Sequence, residues 1–90
     1  MKELGERLKN LRIERDLTMD MVCYAMDKEF NIEITRGHLS KWENGKNDPS
    51  LRLAAYLAKF YGVSLDYLIG LTDNKAPADV LARGKQNGKR

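Results

Sequence analysis

Ninety residues, 42% hydrophobic and 32% charged, describe one small globular domain with a limited core and no room for a second catalytic lobe. One cysteine (Cys23) and one histidine (His38) exclude an internal disulfide and a cysteine- or histidine-clustered metal site; no apolar run approaches the ~18 residues of a membrane span; and the opening Met1-Lys2-Glu3-Leu4-Gly5-Glu6 lacks the apolar stretch of a signal peptide, so a cytoplasmic protein is expected. The net charge of +3 belongs to the end of the chain: residues 1–71 carry 11 Lys/Arg and 11 Asp/Glu, whereas Lys75, Arg83, Lys85, Lys89 and Arg90 outweigh Asp73 and Asp79, so overall basicity says little about what the domain itself binds.

The chain opens with Leu4, Leu8 and Leu11 at i, i+4, i+7, which predicts a helix from Lys2 to Arg15; Ile13 points away from that stripe. Thr18 is a good N-cap for a second helix, with Asp20 near the positive end of its dipole. Met19, Val22, Cys23, Met26 and Phe30 recur at 3–4 spacing, so this helix runs from about Met19 to about Phe30, with Cys23 in the apolar stripe. Asn31-Ile32-Glu33-Ile34 breaks the helical period and reads as a connecting turn with apolar anchors. Thr35 caps a third helix, Arg36 to about Asn44, stopped by Gly45. Leu39 and Trp42 form its inner face; Arg36, His38, Ser40 and Lys41 point outward. After the loop Lys46-Asn47-Asp48-Pro49-Ser50, a fourth helix spans roughly 51–61, with Leu53, Ala54, Leu57, Ala58 and Phe60 inward and Gly62 at its end. Ser64 caps a short fifth helix, 65–69, closed by Gly70. Residues 72–90 change character. A helical turn fits 78–83, but the remainder is polar, glycine-bearing and basic and reads as a mobile tail, leaving 1–71 as the domain.

Taken by spacing alone, Arg36, His38 and Lys41 suit either an ordinary solvated helix face or a surface for DNA, and Trp42 is core rather than a stacking platform. The letters add more. Leu4-Gly5-Glu6-Arg7-Leu8, Leu11-Arg12, Leu17-Thr18, Ile34-Thr35 through Trp42-Glu43-Asn44-Gly45-Lys46, Asp48-Pro49-Ser50 and Gly62-Val63-Ser64-Leu65-Asp66-Tyr67-Leu68 occur in the order of the Cro/C1-type helix-turn-helix family, which the chain resembles over about residues 3–71. The resemblance implies an all-α, five-helix bundle of the lambda-repressor-like type, with the second and third helices as the helix-turn-helix and double-stranded DNA as the partner. It implies that helix 36–44 enters the major groove while helix 19–30 lies across the backbone. Arg36 and Lys41 then read bases, with guanine O6 and N7 as natural targets. His38 reads a base edge or a phosphate, Gly37 and Ser40 lie on the same helix, and Thr18, Thr35, Asn44, Lys46 and Asn47 suit phosphate oxygens. Arg12 and Glu43 match an internal ion pair.

Three departures from the family pattern stand out. Met19 replaces a polar residue, often Gln, after the second cap. Gly37 stands where a base-reading side chain is frequent. The stretch between the second and third helices is longer by about six residues, around Asp27 to Glu33, which resembles a variant common among prophage regulators of low-GC Gram-positive bacteria; these residues are expected to pack on themselves, the alternative being that Lys28 reaches the backbone of the flanking DNA. The function so implied is a prophage or mobile-element repressor reading an inverted repeat. Tyr67, Leu71 and the start of the tail form a small apolar patch suited to a homodimer, in solution or formed only on DNA. An antitoxin or anti-repressor that binds a protein through the same fold is the alternative; a further reading makes these residues the DNA-binding part of a longer repressor. With no phosphate loop and no acid–base pair, neither an enzyme nor a cofactor is expected.

Overall fold

The computed structural model describes residues 1–77; the helical turn proposed for 78–83 and the basic residues 83–90 lie outside them. Five helices follow in chain order: α1 (Lys2–Glu14), α2 (Met19–Phe30), α3 (Arg36–Glu43), α4 (Leu51–Tyr61) and α5 (Leu65–Leu68), with no strand among the described residues. This is the all-α five-helix bundle that the resemblance implies.

The α1 stripe is buried as its spacing requires, with Leu4, Leu8 and Leu11 at most 2% exposed, while Ile13 faces solvent. Gly5 shares the buried side for a reason that periodicity does not reveal. A Cβ there would overlap the carbonyl oxygen of Trp42 and sit 3.0 Å from that of Glu43, so the backbones of α1 and α3 touch where no side chain fits. Asp16 ends α1 in the left-handed region (φ 54°), and the Leu17 amide donates back to the Arg12 carbonyl at 3.1 Å.

Four of the five helices start on a hydroxyl cap. The side chains of Thr18, Thr35, Ser50 and Ser64 accept from the amides of Met21, His38, Leu53 and Tyr67 at 2.9–3.1 Å. At its far end α2 closes with Asn31 in the left-handed region (φ 56°), and the Ile32 amide donates to the Met26 carbonyl at 3.3 Å. That reversal corrects the expectation that Asp27 to Glu33 pack on themselves. Ile32 and Ile34 enter the main core, and the Phe30 ring lies 5.1 Å from that of Tyr56 on α4. The acids Asp27, Glu29 and Glu33 are exposed, and Lys28 lies over the Tyr24 ring at 5.5 Å.

The inner face of α4 is Ala54, Leu57, Ala58 and Tyr61; Leu53 and Phe60, expected inside, are half-buried, and Tyr61 takes the place assigned to Phe60. Trp42 is core, as its spacing indicated, and Cys23 is partly buried against the cluster. The residues just after Leu71 are tied to the bundle. Arg7 donates to the carbonyls of Tyr67 (2.6 Å) and Thr72 (2.7 Å) and to the Asp73 carboxylate (2.8 Å), and the Ser64 amide donates to the Lys75 carbonyl at 3.1 Å. Arg7 also covers the Tyr67 ring at 4.2 Å, so of the expected apolar patch only Leu71 is widely exposed.

Candidate nucleic-acid interface

A buried ion pair fixes α3 against α1. Arg12 donates through Nε and Nη2 to the two carboxylate oxygens of Glu43 at 2.8 and 2.9 Å, and through Nη1 to the Leu17 carbonyl at 3.0 Å. The Glu43 side chain is 2% exposed. The fork-on-fork geometry satisfies both charges and joins the end of α3 to the start of α2. The Glu43 carboxylate, through its hydrogen bonds, holds the Arg12 guanidinium above its ordinary value, against the lowering effect of burial. Tyr61 packs beside this pair, and its phenol is pushed well up, first by burial and then by the Glu43 charge, with Arg12 and Arg15 partly opposing.

Anchored in this way, α3 turns its other side out. Arg36, Gly37, His38 and Lys41 are exposed and Ser40 is half-buried, while Leu39, Trp42 and Glu43 face inward. Thr18, at the start of α2, and Thr35, at the start of α3, are exposed caps. Their surroundings refine the expected roles. The His38 imidazole folds back over its own helix start: Nδ1 accepts the Thr35 amide at 3.2 Å, and the ring stacks on Trp42 at 5.8 Å between centroids. With Nδ1 an acceptor, the neutral ring carries its proton on Nε2, which is a donor for an acceptor outside the protein. The Thr35 amide is thereby engaged, and the Thr35 hydroxyl holds the His38 amide. By their place in the first turn, Arg36 and Gly37 supply the amides without an intrahelical partner. Gly37 has open space: an added Cβ would meet only the Thr35 hydroxyl oxygen at 3.6 Å. Packing therefore does not require glycine there.

Past the helix, the Asn44 side chain donates back to the Ser40 carbonyl at 2.8 Å and lies 3.3 Å from its hydroxyl, so this amide caps its own helix end. Lys46 and Asn47 are exposed in the following loop, which the terminal amino group of Met1 braces by an ion pair with Asp48. One neighbour was not legible from the residues in order. Asp20, on α2, places a carboxylate oxygen 3.5 Å from Arg36 Nε. The two line a shallow cleft of about 330 Å³ with Arg12, Leu17, Thr18 and Met19. No local pattern announces this pair, because it forms only when α2 and α3 pack.

An exposed helix face presenting cations and hydrogen-bond donors beside a second capped helix start has the shape of a major-groove reader. No group of three or more metal-binding side chains gathers among the described residues. No helix among them is long and apolar enough to cross a membrane.

Comparison with known proteins points the same way. A helix-turn-helix family model matches residues 8–68. The chain is similar to the HTH-type transcriptional activator BcrR of Enterococcus faecalis, 30% identical over 67 residues, which are 74% of this chain and 30% of the relative. It is also similar to YobD of Bacillus subtilis strain 168, described as an uncharacterized HTH-type transcriptional regulator, at 33% identity over 72 residues, 80% of this chain and 59% of the relative. The chain thus spans less than two thirds of either relative's length. No solved structure matches it significantly. The ordered motifs, the outward face of α3 and the family match over most of the bundle converge on one conclusion: the chain belongs to the Cro/C1-type helix-turn-helix family of DNA-binding transcriptional regulators.

Proposed function

We propose that this chain is a sequence-specific regulator of prophage or mobile-element type that represses by occupying an inverted-repeat operator, with α3 in the major groove. The observation that carries this reading is the outward face of α3: Arg36 and Lys41 stand exposed on a helix whose other side is locked to α1 by the Arg12–Glu43 pair. Arg36 and Lys41 read base edges. His38, through Nε2, and the amides of Arg36 and Gly37 meet acceptors of the nucleic acid. Thr18, Thr35, Ser40, Asn44, Lys46 and Asn47 frame that contact, with Lys46 and Asn47 the residues best placed for phosphate because their side chains are not spent on the helix.

The lengthened stretch after Met26 supports the prophage assignment, and occupancy of a promoter is what such a surface provides directly. The Enterococcus faecalis relative is described as an activator, so the sign of regulation is part of the test. Two copies on DNA would read half-sites one turn apart, roughly 34–36 Å between centres.

The test is selection from random duplexes at near-physiological salt. An enriched inverted repeat, lost in an Arg36→Ala/Lys41→Ala double variant that melts normally, is expected. Enrichment unchanged in that variant would move recognition off α3. No enrichment, with only weak salt-sensitive binding, would favour the protein-binding reading, an antitoxin or anti-repressor. A reporter carrying the selected site upstream of or overlapping a promoter then separates activation from repression.

A further inference from the structure

A carboxylate beside a base-reading arginine is an odd companion on a surface meant for a polyanion. Asp20 is 72% exposed in its side chain and Arg36 70%, with Nε and the carboxylate oxygen 3.5 Å apart. An exposed pair at that distance adds almost nothing to stability. Asp20 also repels phosphate, so its presence lowers affinity for every duplex alike. Asp20 favours the start of α2 through the helix dipole, but its approach to Arg36 adds nothing to the fold and nothing to indiscriminate binding.

Its geometry suits selectivity. The nearest approach of the carboxylate is to Nε, on the stem side of the guanidinium, at a separation that makes an ion pair rather than a hydrogen bond; an acceptor can then take the paired Nη groups. Paired Nη donors match guanine O6 and N7. A free arginine on a helix start can instead swing to the nearest phosphate, a contact with no sequence content. A carboxylate on the Nε side biases Arg36 against that swing by the fraction of a kcal/mol an exposed pair supplies, and its charge penalises the phosphate alternative.

We propose that Asp20 is a positioning residue for base readout: it holds Arg36 by the Nε side, so that the Nη edge meets guanine, and it suppresses sequence-independent binding. This rests on the reading that Arg36 contacts a base. Asp20 touches no base itself; it acts through Arg36. Met19, in the place where the family often has a polar side chain, offers no such anchor, and Asp20 supplies one from the next position of α2.

The test uses the selected operator and three variants of the duplex in which the guanine assigned to Arg36 is replaced by each other base, together with a random-sequence duplex. Arg36→Ala is measured first. It should abolish the preference for guanine at one position per half-site; if it does not, Arg36 is no base reader, and the reading on which this proposal rests fails with it. Given that loss, Asp20→Asn should melt within a few degrees of the parent, as expected for losing an acid from a first helical turn, and should lower the guanine preference, ordinarily about 10- to 100-fold for a bidentate arginine contact, by roughly 3-fold or more, while the random duplex binds more tightly. Asp20→Glu, which keeps the charge, should restore much of the preference. A guanine preference unchanged in Asp20→Asn overturns the proposal, whether or not the random duplex binds more tightly, because a general gain alone is a plain charge effect.

Discussion

Glu43 is the residue on which the interface depends most. Its carboxylate is buried and, among the described residues, held by Arg12 alone, so Glu43→Ala leaves a guanidinium without its partner at the junction of α1, α2 and α3. Removing one member of such a pair costs about 3–5 kcal/mol. Urea unfolding should show that loss, and DNA binding should fall only in step with the folded fraction; normal stability with lost binding would instead make Glu43 a contact residue. Tyr61 adds a pH signature at the same place. Its folded-state phenol is raised above the ordinary value of 10, so the neutral form is the one the fold favours. Its contribution is therefore fully present below pH ~10 and is lost as pH rises toward the folded value. Alkaline unfolding monitored by circular dichroism should set in above pH ~10, and Tyr61→Phe should flatten that fall. An identical alkaline profile in Tyr61→Phe would assign the fall to other groups.

Among the elements, α2 and the connector behind it were read least completely. The apolar stripes and stop residues, with the caps Thr18, Thr35 and Ser64, placed all five helices within a residue or two, because each signal is local; that Ser50 caps α4 was seen only in the structure. The connector was different. Ile32 and Ile34 were visible as apolar anchors, but their destination depends on the left-handed turn at Asn31 and on α4 standing near enough to receive Phe30. Their burial sets a measurable expectation. Ile32 is 6% exposed within the main core, and Ile32→Ala should cost ~2–5 kcal/mol in chemical denaturation, comparable with a core leucine. A change of a few tenths would mean that the stretch does pack on itself. Gly5 marks the same limit from the other side: its motif was legible, but the reason for glycine is a carbonyl from α3.

At the scale of the whole molecule, the composition break at Leu71 and the physical attachment of the chain do not coincide. Two donations from Arg7, to Thr72 and Asp73, and the backbone bond from Ser64 to Lys75 hold residues 72–75 against α1 and α5. A chain ended at Leu71 should melt several degrees below one ended at Pro77, since both the Arg7 bonds to Thr72 and Asp73 and the Ser64 bond are lost; equal melting temperatures would show these contacts to be energetically idle. For a domain of this size, ~1 kcal/mol corresponds to roughly 4–8 °C. The neutral charge balance of residues 1–71 gives a second molecular-scale lesson. On the proposed function, recognition depends on where cations stand, with Arg36 and Lys41 exposed on one helix face, rather than on their sum.

By itself the sequence determined the helix count and order, the caps Thr18, Thr35 and Ser64, the central leucine and tryptophan core, the outward character of Arg36, His38 and Lys41, and the family. Those features are fixed by period and by short ordered motifs, which need no knowledge of distant neighbours. Only the tertiary structure decided which side chains meet across elements. It replaced Phe60 by Tyr61 on the inner face of α4, carried the connector into the core and set Asp20 beside Arg36. Each of these depends on the packing angle between helices or on a rotamer selected by a neighbour, and neither is written in the spacing of one segment.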